Sequence, residues 1–535
     1  AFPYAVNLIK ISRGMAGQIR TRYLVRKLVL LLLNFMEEVF MLPYYAVSNF
    51  LLFFTTINRM IARKNLLDWK TYRQSQNSSA KFAVEFLPAF IVLAVLSVAS
   101  VFTLIPFYVS LFCLVSCLVQ ISRCIYSIPL KKHKVSADQT ALLREIAEGT
   151  YKFFNASDEL DLIICDNIQV KPYKGFSDNT SPTNLGYSLL ADISAYYLGF
   201  IDCETCLRKI TMKLQKISRL KKWHGHLYNW YNVHTFQTVK NFVSSVDSGN
   251  FIACLYVLKA FLAEKGETEL LGKVQSMIDD ADFSYLYNYS KSLFYLGYDE
   301  DAGGYTGNYD LLASESRLLS LIFIARTGRT EHWWKLQRDY TRLCGNTLLS
   351  WSGTAFEYLM TDIFFVPPSC SLLATSSKNA AKIQSKTRFS GIWGVSESGY
   401  YELDEAFRYQ YYAFGIRKLS LRNELDKPVI SPYSSFLALR WQLKSAIKNI
   451  ENLIAAGAHG DYGFYEALDA RGKIRVVSSY MAHHQGMIIS SIANILCSDK
   501  IAELFMSSPD IAGTLNILNE LPSQTSYGSI KEQKP

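Results

Sequence analysis

Four glutamates, Glu315, Glu357, Glu397 and Glu466, lie in "YDLLASESRL", "SWSGTAFEYLM", "WGVSESGY" and "YGFYEALD", each among small or aromatic residues and outside any run of alternating charge. Chemistry at a glycosidic bond needs two carboxyls, one protonated and one ionised, flanking the bond that breaks. A glutamate in such company has its pKa raised by burial or lowered by neighbours. Asp310 and Glu315 are five apart on an expected helix and do not share one face closely.

Aromatic and polar residues gather in further stretches: "WHGHLYNWYNVHT", "SSVDSGN", "GGYTGNYDLLASES" and "SYMAHHQGM". Tyr and Trp mixed with Asn, Asp and His suit a sugar cleft, because pyranose rings stack on aromatic planes while their hydroxyls need fixed donors and acceptors. Aromatics in helical proteins are also core formers, so it is the number of clusters that points to a cleft.

Other chemistries are poorly served. His483 and His484 are adjacent, so on a helix they point about 100° apart and cannot face one metal together. HExxH, a P-loop and a GxGxxG are all missing, and "GVSES" ends on Ser398 where a nucleophile elbow needs Gly. Cys203 and Cys206 form a lone CxxC, a weak zinc or redox signal. No metal and no cofactor is expected.

The elements that would carry these residues are mostly helical. Apolar residues recur at helical spacing in "DQTALLREIAEGTYKFF", "NLGYSLLADISAYYLGF", "CLRKITMKLQKISRL", "SGNFIACLYVLKAFLAEKG", "YDLLASESRLLSLIFIARTG", "SSFLALRWQLKSAIKNIENLIAAG" and "AHHQGMIISSIANIL". Ser181-Pro182-Thr183-Asn184 and Asp247-Ser248-Gly249 read as helix starts, and Gly266, Gly328 and Gly457 as helix ends. Strand alternation is scarce and no fixed repeat period is visible, which favours a closed helical barrel with its loops gathered at one end over a solenoid.

Residues 1–134 have a different character. They carry 16 Lys and Arg against 4 Asp and Glu, while the rest of the chain is almost neutral despite the overall charge of +10. The basic residues flank apolar runs, as cytoplasmic membrane flanks do, so the charge does not point to nucleic acid. Phe86 to Ser122 is uncharged and long enough for one span or two short ones joined near Pro106. The run 39–57 is also uncharged, and Pro43 with Glu37 and Glu38 favours a bent or interfacial helix over a straight span. No cleavable signal peptide is expected, and the scattered cysteines read as reduced thiols. The expected organisation is a membrane region over 1–134 and a soluble domain over 135–535.

In order along the chain, "SPTNLGYSLLADISAYYLGFI", "GHLYNWY", "VDSGN", "YDLLASESRL", "SWSGTAFEYLM", "WGVSESGY", "YGFYEALD" and "YMAHHQGM" resemble the central part of cyclic β-1,2-glucan synthases, over about residues 140 to 525. The resemblance implies an all-α fold, an (α/α)6 barrel preceded by transmembrane helices, that cyclises linear β-1,2-glucan by anomer-retaining transglycosylation. It implies Glu397 as nucleophile and Glu315 as acid/base. Asp247, Trp230, Tyr231, Trp351, Glu357, Trp393, Glu466, His483 and His484 would hold glucose hydroxyls, shape the subsite or orient the pair. It further implies a multi-pass protein of the inner membrane with lipid around its spans and its catalytic domain on the cytoplasmic side. Glycosyltransferase and phosphorylase-like domains would be expected elsewhere on a full-length protein. Endo-β-1,2-glucanase activity and a non-catalytic glucan-binding membrane module remain open as alternatives.

Overall fold

The computed structural model describes residues 17–62, a few positions between 91 and 118, and 135–521 apart from 174, 342–346, 370 and 423–426. Most of the apolar run 86–122 therefore lies outside the described residues. The chain divides into two compact units, of which His133–Glu520 is the larger. The other contains helix α1 (Gly17–Ala62), which continues through Pro43. Its portion Glu38–Ala62 is long and apolar enough to cross a membrane.

In the larger unit the main helices are α2 (Ala137–Glu159), α3 (Pro182–Tyr197), α4 (Cys203–Ser218), α5 (Ser245–Lys265), α6 (Thr268–Asp280), α7 (Arg317–Thr327), α8 (Ala355–Leu359), α9 (Leu372–Lys386), α10 (Tyr433–Leu437), α11 (Leu439–Ala455), α12 (Ala482–Leu496) and α13 (Lys500–Ser507). Six of them close a ring. Helix α12 packs on α3, α3 on α5, α5 on α7, α8 on α10, and α10 back on α12. Between α7 and α8 the ring is joined by buried Arg317, whose Nη2 donates to Tyr358 O at 2.9 Å and Thr361 Oγ1 at 2.8 Å. Helices α2, α4, α6, α9 and α11 pack on the outside.

The sequence dictates which helix goes where. Helix α4 buries only Cys206, Ile210, Leu214 and Ile217, one stripe at helical spacing, and is otherwise polar, so it can cover the ring but not join it. Helix α5 is apolar on all sides and buried almost throughout. It is the one other described helix long and apolar enough to span a membrane, yet it is a barrel core element. The inner helices also approach closely. A β-carbon on Gly486 would stand 2.4 Å from Tyr187 Cβ, one on Gly249 2.6 Å from Leu319 Cβ, and one on Gly186 2.8 Å from Cys254 Sγ.

Helix ends follow local chemistry. Ser136 and Gln139 form a reciprocal capping box at α2, and Ser181 caps α3 by accepting from Asn184 N. Gly266 and Gly328 end α5 and α7 at φ 77° and 69°, as expected. At α5 the cap differs from expectation: Ser244 caps, and Asp247 is the third helical residue, with its side chain free for other partners.

The expected all-α class is too narrow. Antiparallel strands fill the connections that lead into the inner helices. Leu293–Asp299 pairs with Gly304–Asn308 and with Phe242–Ser244, Glu397–Leu403 pairs with Tyr409–Ala413, and Ala467–Asp469 lies between Val429–Ile430 and Arg475–Val477. Most are two or three residues long and partly buried on both faces, so they leave no alternating pattern to read.

Candidate active site

The first turns of three inner helices, α3, α5 and α12, meet. Thr183 of α3 donates to Asp247 Oδ1 of α5 at 2.6 Å. Asn184, next on α3, has its Oδ1 3.3 Å from His483 Nδ1 at the start of α12. Its amide donates to Asp166 Oδ1 at 2.8 Å. Asp247 Oδ2 is 2.8 Å from the Asn229 amide nitrogen when that amide is turned to donate, and the same turn lets Trp230 Nε1 donate to Asn229 Oδ1 at 3.2 Å. Burial raises the carboxyls of Asp166 and Asp247 above the ordinary range.

Glu315 and Glu397 face this floor from two different connections. Glu315 lies just before α7, in a turn and not on the helix expected from 309 onward. Glu397 opens its strand. Both are half-buried. Burial pushes Glu315 up to about 7, helped by the charge of Glu357, and Ser314 Oγ donates to it at 3.1 Å. Burial likewise pushes Glu397 up to about 8, reinforced by the charges of Glu315 and Glu357. Opposing this, the Tyr411 hydroxyl donates to Glu397 Oε2 at 3.3 Å. Burial of both carboxyls, with the charge of Glu315 acting on Glu397, holds the pair well above the ordinary range, so that protons remain on it near neutrality.

Glu357 has a different job. It is buried and accepts from Ser350 Oγ (2.9 Å), Ser352 N (3.0 Å), Thr354 N (2.9 Å) and Thr354 Oγ1 (3.1 Å), completing a capping box at α8. So many internal donors leave its oxygens little to offer a sugar. Its charge still acts on Glu315 and Glu397 through space.

Glu466 and His484 are also paired inside the protein, Oε2 to Nδ1 at 3.0 Å, and Glu466 Oε1 accepts from Gly399 N at 3.0 Å. Burial raises Glu466 to about 7 and lowers His484 to about 3, so the imidazole is neutral. The two adjacent histidines take different partners, as their helical spacing requires.

Two of the expected subsite residues are not at the surface of the site. Tyr231 is fully buried, its hydroxyl accepting from Tyr228 N at 2.7 Å and donating to Lys221 O, which makes it a strut for the loop. Trp393 is fully buried too, with its main chain tied to Asn449. An apolar ring next to a Gly in a connection reads equally well as platform or core, and here the core won. Trp351, by contrast, is 44% exposed, with Nε1 donating to Asp310 Oδ1 at 2.9 Å and Gln337 Nε2 holding the other oxygen at 3.0 Å.

The residue patterns did not single out Tyr309, Tyr411, Tyr433, Asp166 or Asn184. Tyr309 lies near the charges of Glu315, Asp247 and Glu397. Its place beside Asp310 in the "GGYTGNYDLLASES" cluster was the one available signal. Among the described residues no group of three or more His, Cys, Asp or Glu could hold a metal.

A ring of six helices with further helices packed outside it is an (α/α)6 barrel. A family model described as "Putative glucoamylase" matches residues 309–509. The likeness to cyclic β-1,2-glucan synthases is borne out: the chain is 26% identical over 529 residues to the cyclic β-(1,2)-glucan synthase NdvB of Rhizobium meliloti (strain 1021). That similarity covers 72% of this chain but only 19% of the synthase. Among solved structures, the endo-β-1,2-glucanase of Chitinophaga pinensis superposes with a TM-score of 0.58 at 17% identity, covering 72% of this chain and 99% of that one. The endo-β-1,2-glucanase of Talaromyces funiculosus superposes with a TM-score of 0.58 at 12% identity, covering 73% and 90%. These structural likenesses establish the fold.

Proposed function

We propose that the larger unit acts on β-1,2-glucan as an anomer-retaining transglycosylase that closes linear chains into rings, with Glu397 as nucleophile and Glu315 as acid/base. The observation that carries this reading is the nearness of the two carboxyls, close enough for the charge of Glu315 to raise Glu397. Glu397 attacks C1 and the glycosidic oxygen leaves with a proton from Glu315, directly or through an intervening hydroxyl or water. A hydroxyl of the same glucan then attacks C1, returns its proton to Glu315 and releases Glu397. Asp247, Trp230, His483 and exposed Trp351 hold the sugars on either side.

The substrate class rests on the similarity to the Rhizobium synthase and on the two endo-β-1,2-glucanases that share the fold. Because the chain spans 19% of the synthase, polymer synthesis and the accompanying glycosyltransferase and phosphorylase-like domains are assigned to other parts of such a protein. The segment Glu38–Ala62 would anchor the unit at the cytoplasmic face of the inner membrane.

The glucanase likeness favours hydrolysis as the second reading, since only the acceptor, water or a sugar hydroxyl, separates the two. Incubating the chain with linear β-1,2-glucan and weighing the products decides. Products lighter by one water than linear chains, absent with Glu397→Gln, identify ring closure. Linear fragments identify a hydrolase, and undiminished turnover by Glu397→Gln removes Glu397 from the nucleophile role.

A further inference from the structure

Glu397 is held by more than its own strand. The His484 ring stacks on Tyr433 with centroids 3.9 Å apart and planes at 17°, and Tyr411 lies over His484 at 6.4 Å and 23°. Each end of this stack reaches Glu397. Tyr411 donates to its carboxylate Oε2 at 3.3 Å, while the Tyr433 hydroxyl stands 3.1 Å from its main-chain oxygen and 2.7 Å from Ser396 Oγ.

The middle of the stack is fixed by Glu466. One of its oxygens meets His484 Nδ1, and the other accepts the amide of Gly399, two residues beyond Glu397 on the same strand. Its side chain also packs closely there: a β-carbon on Gly399 would stand 3.1 Å from Glu466 Cγ. Both carboxylate oxygens are thus engaged inside the protein, and Glu466 and His484 are almost fully buried.

We propose that Tyr411, His484 and Tyr433, pinned by Glu466, form one stacked unit that positions Glu397 for attack, so that Glu466 and His484 act on the reaction through Glu397 and not by holding sugar hydroxyls. This deepens the reading of Glu397 as nucleophile and rests on it. Tyr411 touches the reacting carboxylate and counts as catalytic. Tyr433, His484 and Glu466 are positioning residues.

The physical logic is orientation plus charge. A carboxylate that must reach C1 along one direction loses rate steeply when its torsion is free. A phenol donating to Oε2 also favours the ionised form. The other groups acting on Glu397 are Glu315, Glu357 and Arg422, with Tyr309 and Tyr433 nearby, and none of the tests below alters them.

The test uses the full chain with three substitutions, Tyr411→Phe, Glu466→Gln and Glu466→Ala. With β-1,2-glucan as substrate, Tyr411→Phe is expected to lower kcat about tenfold or more with KM within about twofold, and to move the alkaline limb of kcat/KM, set by the carboxyl that keeps its proton longer, to higher pH. Glu466→Gln, which can still accept from Gly399 N, should recover much of the kcat that Glu466→Ala loses. Either reaction, ring closure or hydrolysis, serves for this comparison.

A substrate-free arm separates this proposal from the assignment of function. Infrared pH-difference spectra, with the Glu397 band identified by its loss in Glu397→Gln, should show Glu397 titrating at higher pH in Tyr411→Phe than in the wild type. A chain that does not process β-1,2-glucan sinks the proposed function but leaves this arm decisive. Unmoved titration and an unmoved pH profile in a Tyr411→Phe protein of wild-type melting temperature would overturn the positioning unit. Should Glu466→Ala fail to fold, Tyr411→Phe and Glu466→Gln carry the test.

Discussion

Glu315 and Glu397 come from connections on different sides of the ring, yet the charge of the first raises the carboxyl of the second. Their proximity ties the pH dependence of stability to that of turnover. Glu315 is held at about 7 and Glu397 at about 8, against the usual 4.5. Between those limits the folded chain binds protons that the unfolded chain has already released. Stability is therefore fully present at low pH and is lost as pH rises through about 7 to 8. Glu397→Gln should be more stable than wild type at pH 8 by about 1–3 kcal/mol and nearly equal at pH 5. Urea unfolding at the two pH values checks this, and equal stabilities at both would remove the repulsion.

Turnover should follow a bell. Below about 7 the pair holds two protons and above about 8 none; between them turnover draws on the arrangement with the single proton on Glu315, the minor one because Glu397 is held higher. A profile of kcat/KM from pH 5 to 10 reads the two limbs, and a rate that rises steadily to pH 10 would contradict the paired assignment.

Replacing Glu357 tests its structural role. Glu357→Ala strips a carboxylate from Ser350, Ser352 and Thr354 and opens the cap of α8. It should cost about 2–4 kcal/mol, against under about 1 kcal/mol for Glu315→Ala. Comparable losses for both, measured by urea unfolding at pH 7, would show that Glu357 is not a strut.

Trp351→Phe keeps an aromatic face at the rim but loses the hydrogen bond to Asp310. If the ring is a sugar platform fixed by that bond, KM for β-1,2-glucan should rise about three- to tenfold with kcat nearly constant. A change confined to kcat would place Trp351 nearer the reacting centre.

Gly486→Ala tests the closeness of α12 and α3. The added methyl meets the Tyr187 side chain with no room to move in a filled core. A loss of about 2 kcal/mol or more is expected, and a melting temperature within a degree of wild type would show that the ring can expand there.

The helices were legible because their pattern is long. The block "NLGYSLLADISAYYLGF" became α3, and "AHHQGMIISSIANIL" became α12, since two or more turns of apolar spacing leave few alternatives. The glutamates were legible as types, and the fold brings Glu315 near enough to Glu397 for its charge to act there. What could not be read was who saturates whom. Glu357 and Glu466 look like Glu397 in sequence, but Ser350, Thr354, Gly399 and His484 claim their oxygens through contacts that only the folded chain creates. Trp393 and Tyr231 went to the core for the same reason: burial is decided by their neighbours in the fold, and neither the loop that carries Trp393 nor the three-residue strand that carries Tyr231 has a period that signals which face is inside.

The glycines that let the inner helices touch also govern how the molecule breathes. Gly186, Gly249 and Gly486 lie two or fewer residues beyond Asn184, Asp247 and His484, so the floor of the site shares its backbone with the tightest crossings of the barrel. Amide protons of those first turns would exchange with solvent only when the whole ring opens. The hairpin 293–308, more exposed along its length, can open without the ring. The chain thereby combines a floor that keeps time with global unfolding and a rim that moves on its own clock.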